Sequence, residues 1–74
     1  MNREVNVYEI ALCQHTYTEY YMVTARSEAE ARQYAANLPA VRTAAQITVS
    51  LKQQATQLQY PVGSIWHTGA FYTG

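Results

Sequence analysis

The sequence predicts one small α+β domain: an antiparallel sheet of three or four strands with a single helix packed on one face, running β-β-α-β with a fourth strand near the end. Three observations predict it. Residues 4 to 14 and 19 to 26 alternate in side-chain character with the period of two that belongs to strands. Ser27 and Glu30 then open an alanine-rich helix that Pro39 closes. Beyond it, Ile47, Val49 and Leu51 alternate with Thr48, Ser50 and Lys52 and restore the strand period.

In the first strand, Tyr8, Ile10 and Leu12 make one apolar face. Val5, Val7, Ala11 and Cys13 make a weaker opposite face, broken by Glu9. Two apolar faces suit a central strand, or one whose second face is covered by a partner. His15-Thr16-Tyr17-Thr18 interrupts the pattern without an Asn-Gly or Asp-Gly pair, so it reads as a longer hairpin loop rather than a tight primed turn. The second strand, Glu19 to Arg26, sets Tyr21, Val23 and Ala25 on one face and Tyr20, Met22 and Thr24 on the other.

The helix follows from its ends. The Ser27 hydroxyl satisfies an orphan backbone N–H and the Glu30 carboxylate reaches back, while Glu28 and Glu30 place negative charge at the positive end of the helix dipole. Ala31, Tyr34, Ala35 and Leu38 share one face, where small alanines let the helix sit close on a sheet. Pro39 lacks the N–H to continue and disfavours helix at Leu38.

Residues 44 to 58 fit two patterns. Ala44, Ile47, Leu51, Ala55 and Leu58 are also spaced as one helical face, but the β-branched run Ile47-Thr48-Val49 favours a third strand. Gln53 to Gln59 stay open between helix and loop. Ser64 to Thr68 reads as a short last strand, and residues 69 to 74 as a flexible aromatic tail of the same domain.

Composition bounds the function. A chain of 74 residues buries little more than half of its unfolded surface, so self-association, a partner or good packing is needed to support it. Its ten charges cancel but are segregated: residues 1 to 31 hold two cations against five glutamates, a net of −3, and residues 32 to 74 hold three cations and no acid, a net of +3. Either the two ends of a small fold neutralise one another, or the surface is bipolar. Three dispersed cations are too few for general duplex DNA binding. The single cysteine, Cys13, excludes an internal disulfide framework. No apolar run is long enough to span a bilayer and the N-terminus lacks a signal-peptide core, so a soluble, cytoplasmic protein is expected.

Catalytic motifs are scarce. Glycines 63, 69 and 74 fit neither G-x-G-x-x-G nor the P-loop. Cys13, His15 and His67 are the soft ligand types, and they would supply three zinc ligands only if the last strand lay beside the first. With no second cysteine, a small buried thiol and two surface imidazoles is the simpler reading. Cys13 as nucleophile with His67 as base lacks any sign of an oxyanion hole. There is no aspartate, Glu28 and Glu30 serve the helix start, and Glu4, Glu9 and Glu19 read as a solvated face rather than an acid–base pair. No catalytic, cofactor-binding or metal-ligating residue is assigned, and a non-enzyme is expected.

Aromatic residues are the enriched feature. Tyr17, Tyr20 and Tyr21 cluster at the first hairpin, and Trp66, Phe71 and Tyr72 at the end. Tyr21, Tyr34 and Trp66 read first as core rings. The outward hairpin face and the Trp66-to-Tyr72 end read as a partner surface, since Tyr and Trp anchor protein interfaces. With the cations of the acid-free half added, the candidate partner-binding residues are Tyr17, Tyr20, Met22, Arg42, Lys52, Trp66, Phe71 and Tyr72. The expected partner is a host protein or protein complex. The alternative is a nucleic acid stacked on the rings beside the acid-free half. A homodimer is compatible with the sequence, and no membrane partner is expected.

At Val23-Thr24-Ala25-Arg26-Ser27-Glu28-Ala29-Glu30-Ala31 the chain resembles small phage- and plasmid-encoded proteins in which a strand ending in Val-x-Ala runs straight into a Ser/Thr-capped helix. The DpnD/PcfM-like proteins of mobile elements and several small anti-CRISPR proteins share this layout. The resemblance covers about residues 7 to 52 and is structural. It implies a phage or mobile-element protein of the bacterial cytoplasm that acts by binding, as an inhibitor of a host defence complex or other host enzyme. No site motif is shared, so no functional residue carries over.

Overall fold

The structure, a computed structural model, describes residues 5–56 and 62–72 of the chain. Expectations that fall on Glu4, residues 57–61 or residues 73–74 lie outside the described residues. The order is β1 (Val5–Cys13), β2 (Tyr17–Ala25), α1 (Glu28–Ala36), a 3-10 turn (Pro39–Thr43), β3 (Gln46–Thr56) and β4 (Ile65–Tyr72). The strands form one antiparallel sheet in the order β3-β1-β2-β4, with β1 and β2 central and β3 and β4 at the edges. This is the α+β architecture that the periodicities predict, with the fourth strand present.

The hydrophobic core lies between the helix and one face of the sheet. Tyr8, Ile10 and Leu12 of β1, Val23 and Ala25 of β2 and Val49 of β3 meet Ala31 and Ala35 of α1. Register explains the set: Tyr8 stands opposite Val23 and Leu51, and Ile10 opposite Tyr21 and Val49, so each apolar side chain continues a row across the strands. Tyr21 and Tyr34 pack on the rim of this cluster.

Helix initiation takes a slightly different form from the one the sequence suggests. The Ser27 hydroxyl accepts the Glu30 N–H at 3.2 Å, while the Glu30 carboxylate accepts the N–H of Arg26 at 3.0 Å, one residue ahead of the cap. Leu38 is already extended, and Pro39 opens the 3-10 turn that carries the chain toward β3. That turn was not legible in the sequence.

Four boundaries and faces differ from expectation. The β1–β2 connection is only Gln14-His15-Thr16, closed by the Gln14 N–H donating to the Tyr17 carbonyl at 2.7 Å. Tyr17 and Thr18 are therefore strand, because across the sheet Tyr17 pairs with Tyr72 and Thr18 with Cys13. β3 extends to Thr56, so Gln53 to Thr56 is neither helix nor loop. β4 continues through Gly69 to Tyr72, paired with β2, where a tail was expected. Thr24, expected to face outward, is 0 % exposed. Its hydroxyl accepts the Ser64 N–H at 3.1 Å and its own N–H donates to the Ser64 carbonyl at 2.9 Å, so it anchors the approach to β4.

Candidate functional site

The two faces of the sheet differ in cover. The helix occupies one face. On the other, Val5, Val7 and Thr24 are buried at one end and Thr18 at the hairpin end, while Glu9, Ala11, Cys13, Tyr20 and Met22 are half-buried. Alternation along the strands assigns that open face Glu9, Ala11 and Cys13 from β1, Thr18, Tyr20 and Met22 from β2, Thr48, Ser50 and Lys52 from β3, and Trp66 and Phe71 from β4. Its β1–β3 half is small and polar, and its β2–β4 half is aromatic.

The aromatic half is built by register. Met22 stands opposite Trp66, Tyr20 opposite Gly69, and Thr18 opposite Phe71. Gly69 has no side chain to fill its place, and the Phe71 ring lies 3.6 Å from where a Cβ would be. That leaves the ring free to meet Tyr20 edge to face, with centroids 5.5 Å apart. Thr68 is the extra residue of a bulge in this ladder, and its hydroxyl donates to the Tyr20 carbonyl at 3.1 Å. Trp66 is 39 % exposed, Phe71 65 % and Tyr72 87 %. Trp66 is thus no core ring: the β4 register turns it to the face without a helix.

On the helix side of the same end lies a polar cluster that sequence reasoning passed over. Tyr21 donates its hydroxyl to Glu19 at 2.8 Å, the His67 ring stands edge-on to Tyr21 at 5.0 Å, and His67 Nε2 lies 3.8 Å from the same carboxylate. That last contact is an ion pair only when His67 is protonated. Tyr17 leans on Tyr72 with centroids 6.2 Å apart. Burial, then the hydrogen bond to Glu19, pushes the Tyr21 hydroxyl up to about 12. The hydrogen bond to Glu19, with smaller help from desolvation, also raises Tyr17. The signal available in the sequence was Glu19-x-Tyr21 on one strand face. The partner, His67, sits 46 positions beyond Tyr21, and only pairing of β2 with β4 reveals it.

Of the eight residues singled out from sequence, the structure gathers six at the β2–β4 end, in two groups. Tyr20, Met22, Trp66 and Phe71 share the open face, whereas Tyr17 and Tyr72 share the helix side. Arg42 and Lys52 stand apart from them. Arg42 is exposed on the 3-10 turn, and Lys52 lies on the far edge strand, 3.5 Å from Glu9. Glu9 with Lys52, and Glu28 with Arg32 at 3.2 Å, pair the acidic and basic halves of the chain.

Cys13, His15 and His67 do not converge. Cys13 is on the open face, His15 is in the hairpin turn, and His67 is on the helix side of β4. Among the described residues no group of three His, Cys, Asp or Glu is placed to hold a metal ion, and no helix is long and apolar enough to cross a membrane.

Fold and surface together define a class: a small α+β protein whose sheet carries one helix on a face and exposed aromatic rings on its β4 edge strand. Compared with protein-family models, curated proteins and solved structures, the chain matches none.

Proposed function

We propose that this chain is a non-enzymatic protein-binding module that grips its partner with the aromatic end of the open sheet face. The observation that carries the reading is the grouping of Tyr20, Met22, Trp66 and Phe71 on one surface, with Phe71 65 % exposed. Large rings fixed by neighbours and left in water are what protein interfaces use as anchors. The cations argue for protein rather than nucleic acid, since Lys52 is engaged by Glu9 on the opposite edge and Arg42 lies on the 3-10 turn. A surface that follows phosphates needs positive charge beside its stacking rings.

The finer reading is a phage or mobile-element inhibitor of a bacterial defence complex or host enzyme, acting in the bacterial cytoplasm. It is supported by the resemblance at Val23 to Ala31. A pull-down from bacterial lysate with the tagged chain, read by mass spectrometry, tests both levels. The expected result is one stoichiometric host protein, lost in Trp66→Ala and Phe71→Ala variants. Recovery of none, with a salt-sensitive shift of labelled oligonucleotides instead, would replace a protein partner by a nucleic acid.

A further inference from the structure

The pairing of β2 with β4 that sorts rings onto the open face also builds a site on the helix side of the sheet. Tyr17, Glu19 and Tyr21 stand at every second position of β2, so all three share that side. Across the ladder His67 pairs with Tyr21 and Tyr72 with Tyr17, which closes the five into one cluster. The helix leaves this corner open, for His67 and Tyr72 are both exposed.

At its centre is a carboxylate with acceptor capacity to spare. The Glu19 side chain is 16 % exposed. It accepts the Tyr21 hydroxyl at 2.8 Å, and the Tyr17 hydroxyl hydrogen-bonds the same carboxylate. A carboxylate has about four acceptor positions, so two neutral hydroxyls leave roughly half of them unfilled. Glu9 and Glu28 are engaged by Lys52 and Arg32, but among the described residues no lysine or arginine pairs with Glu19. The basic group beside it is the His67 imidazole, whose Nε2 at 3.8 Å is too far for a hydrogen bond. Rings surround this charge. Tyr17 and Tyr72 lie with centroids 6.2 Å apart and planes at 60°, and Tyr21 and His67 at 5.0 Å and 73°. The faces of tyrosine rings are electron-rich and attract cations. Carboxylate and rings therefore select positive charge, and a phosphate would be repelled.

We propose that this corner receives an arginine side chain of a protein partner. A guanidinium is a planar fork that donates two parallel hydrogen bonds to a carboxylate and stacks on an aromatic face. A lysine ammonium is a compact, strongly hydrated charge and matches the rings less well. The occupant rests on the reading of a protein partner given above. The place is a separate one, since Tyr20 and Met22 alternate with Tyr17, Glu19 and Tyr21 and belong to the opposite face. Because β4 is an edge strand, a partner held by Trp66 and Phe71 on one face meets this corner around the edge.

Titration of the isotope-labelled chain with the capped tripeptide Gly-Arg-Gly, followed by NMR, tests this. The expected result is a saturable shift confined to the amides around Glu19 and around His67 to Tyr72. The capped tripeptide Gly-Lys-Gly is expected to bind severalfold more weakly, and Gly-Gln-Gly not at all. Glu19→Gln is nearly isosteric and is expected to weaken Gly-Arg-Gly by roughly tenfold or more, the size of a charge-assisted hydrogen bond. Tyr72→Ala removes an exposed ring outside the core and is expected to weaken it severalfold, whereas Tyr72→Phe keeps the ring and the binding. Absence of a saturable shift, an equal response to Gly-Gln-Gly, or undiminished binding in a Glu19→Gln chain with a native amide spectrum overturns the proposal. Equal affinity for Gly-Lys-Gly overturns arginine as the occupant. The tripeptide meets the chain alone, so failure of this titration leaves the open-face reading standing, and a pull-down that recovers no host protein leaves the tripeptide affinity as measured.

Discussion

Glu19 does the most at the scale of single residues. It accepts the Tyr21 hydroxyl at 2.8 Å, lies 3.8 Å from His67 and raises both Tyr17 and Tyr21. The consequence for stability has a definite sign. Tyr21 ordinarily ionises at 10.0 and in the folded chain at about 12. Below the lower value the ring is neutral in both states. Between the two, the unfolded chain gives up the proton first, so stability falls as pH rises through that window. Chemical denaturation at alkaline pH checks the slope. Glu19→Gln removes the charge, and NMR titration of the ring carbons is expected to show Tyr21 ionising at lower pH, held up then mainly by burial. Two buried polar side chains also carry weight. Thr24→Val keeps the shape but removes the acceptor for Ser64, and is expected to cost about 1 kcal/mol in urea unfolding. Gln14 is 6 % exposed, donates to the Ala40 carbonyl at 2.9 Å and accepts the Thr43 hydroxyl at 2.8 Å. It fastens the first hairpin to the 3-10 turn, a role invisible in sequence because its partners lie 26 and 29 positions away.

At the scale of elements, the helix is the part that is local in origin. Ser27→Ala removes the cap on the Glu30 N–H and is expected to lower stability by roughly 1 kcal/mol, measured by thermal or urea unfolding. β4 shows the opposite dependence. Gly63 enters it with φ of 93°, and a Cβ at that position would lie 3.3 Å from the Tyr34 ring. Gly63→Ala therefore meets both a disfavoured backbone region and the helix, and a loss of about 1–2 kcal/mol is expected. β4 was read as ending at Thr68 because Gly69 and the terminal aromatics resemble a tail. It runs on to Tyr72 because β2 supplies pairing partners as far as Tyr17, and because Tyr72 and Phe71 find ring contacts there.

The whole molecule measures 45 × 18 × 15 Å, one sheet thick with one helix on it. Its surface of 5078 Å² exceeds the ~4,600 Å² usual for a monomer of this size. Glu9 pairs with Lys52 and Glu28 with Arg32, and none of the four β2–β4 residues grouped on the open face, Tyr20, Met22, Trp66 and Phe71, carries a charge. Partner binding through that face is expected to change little as salt is raised, which titration of the captured partner at low and high ionic strength would check. Phosphate contacts would give the reverse.

The sequence by itself determined the elements whose causes are local: the alternation of β1 and β2, the Ser27-to-Pro39 helix, and the β-branched start of β3. Periodicity and capping act within a few residues, so they are readable along the chain. Tertiary structure alone decided the length of β4, the burial of Thr24, the exposure of Trp66 and the meeting of His67 with Glu19. Each depends on which strand lies beside which, and that is settled by pairing across tens of residues. The aromatic surface sits between these limits. Its residue types stood out in the sequence, but the β2–β4 register sorted them onto two faces and left Arg42 and Lys52 outside.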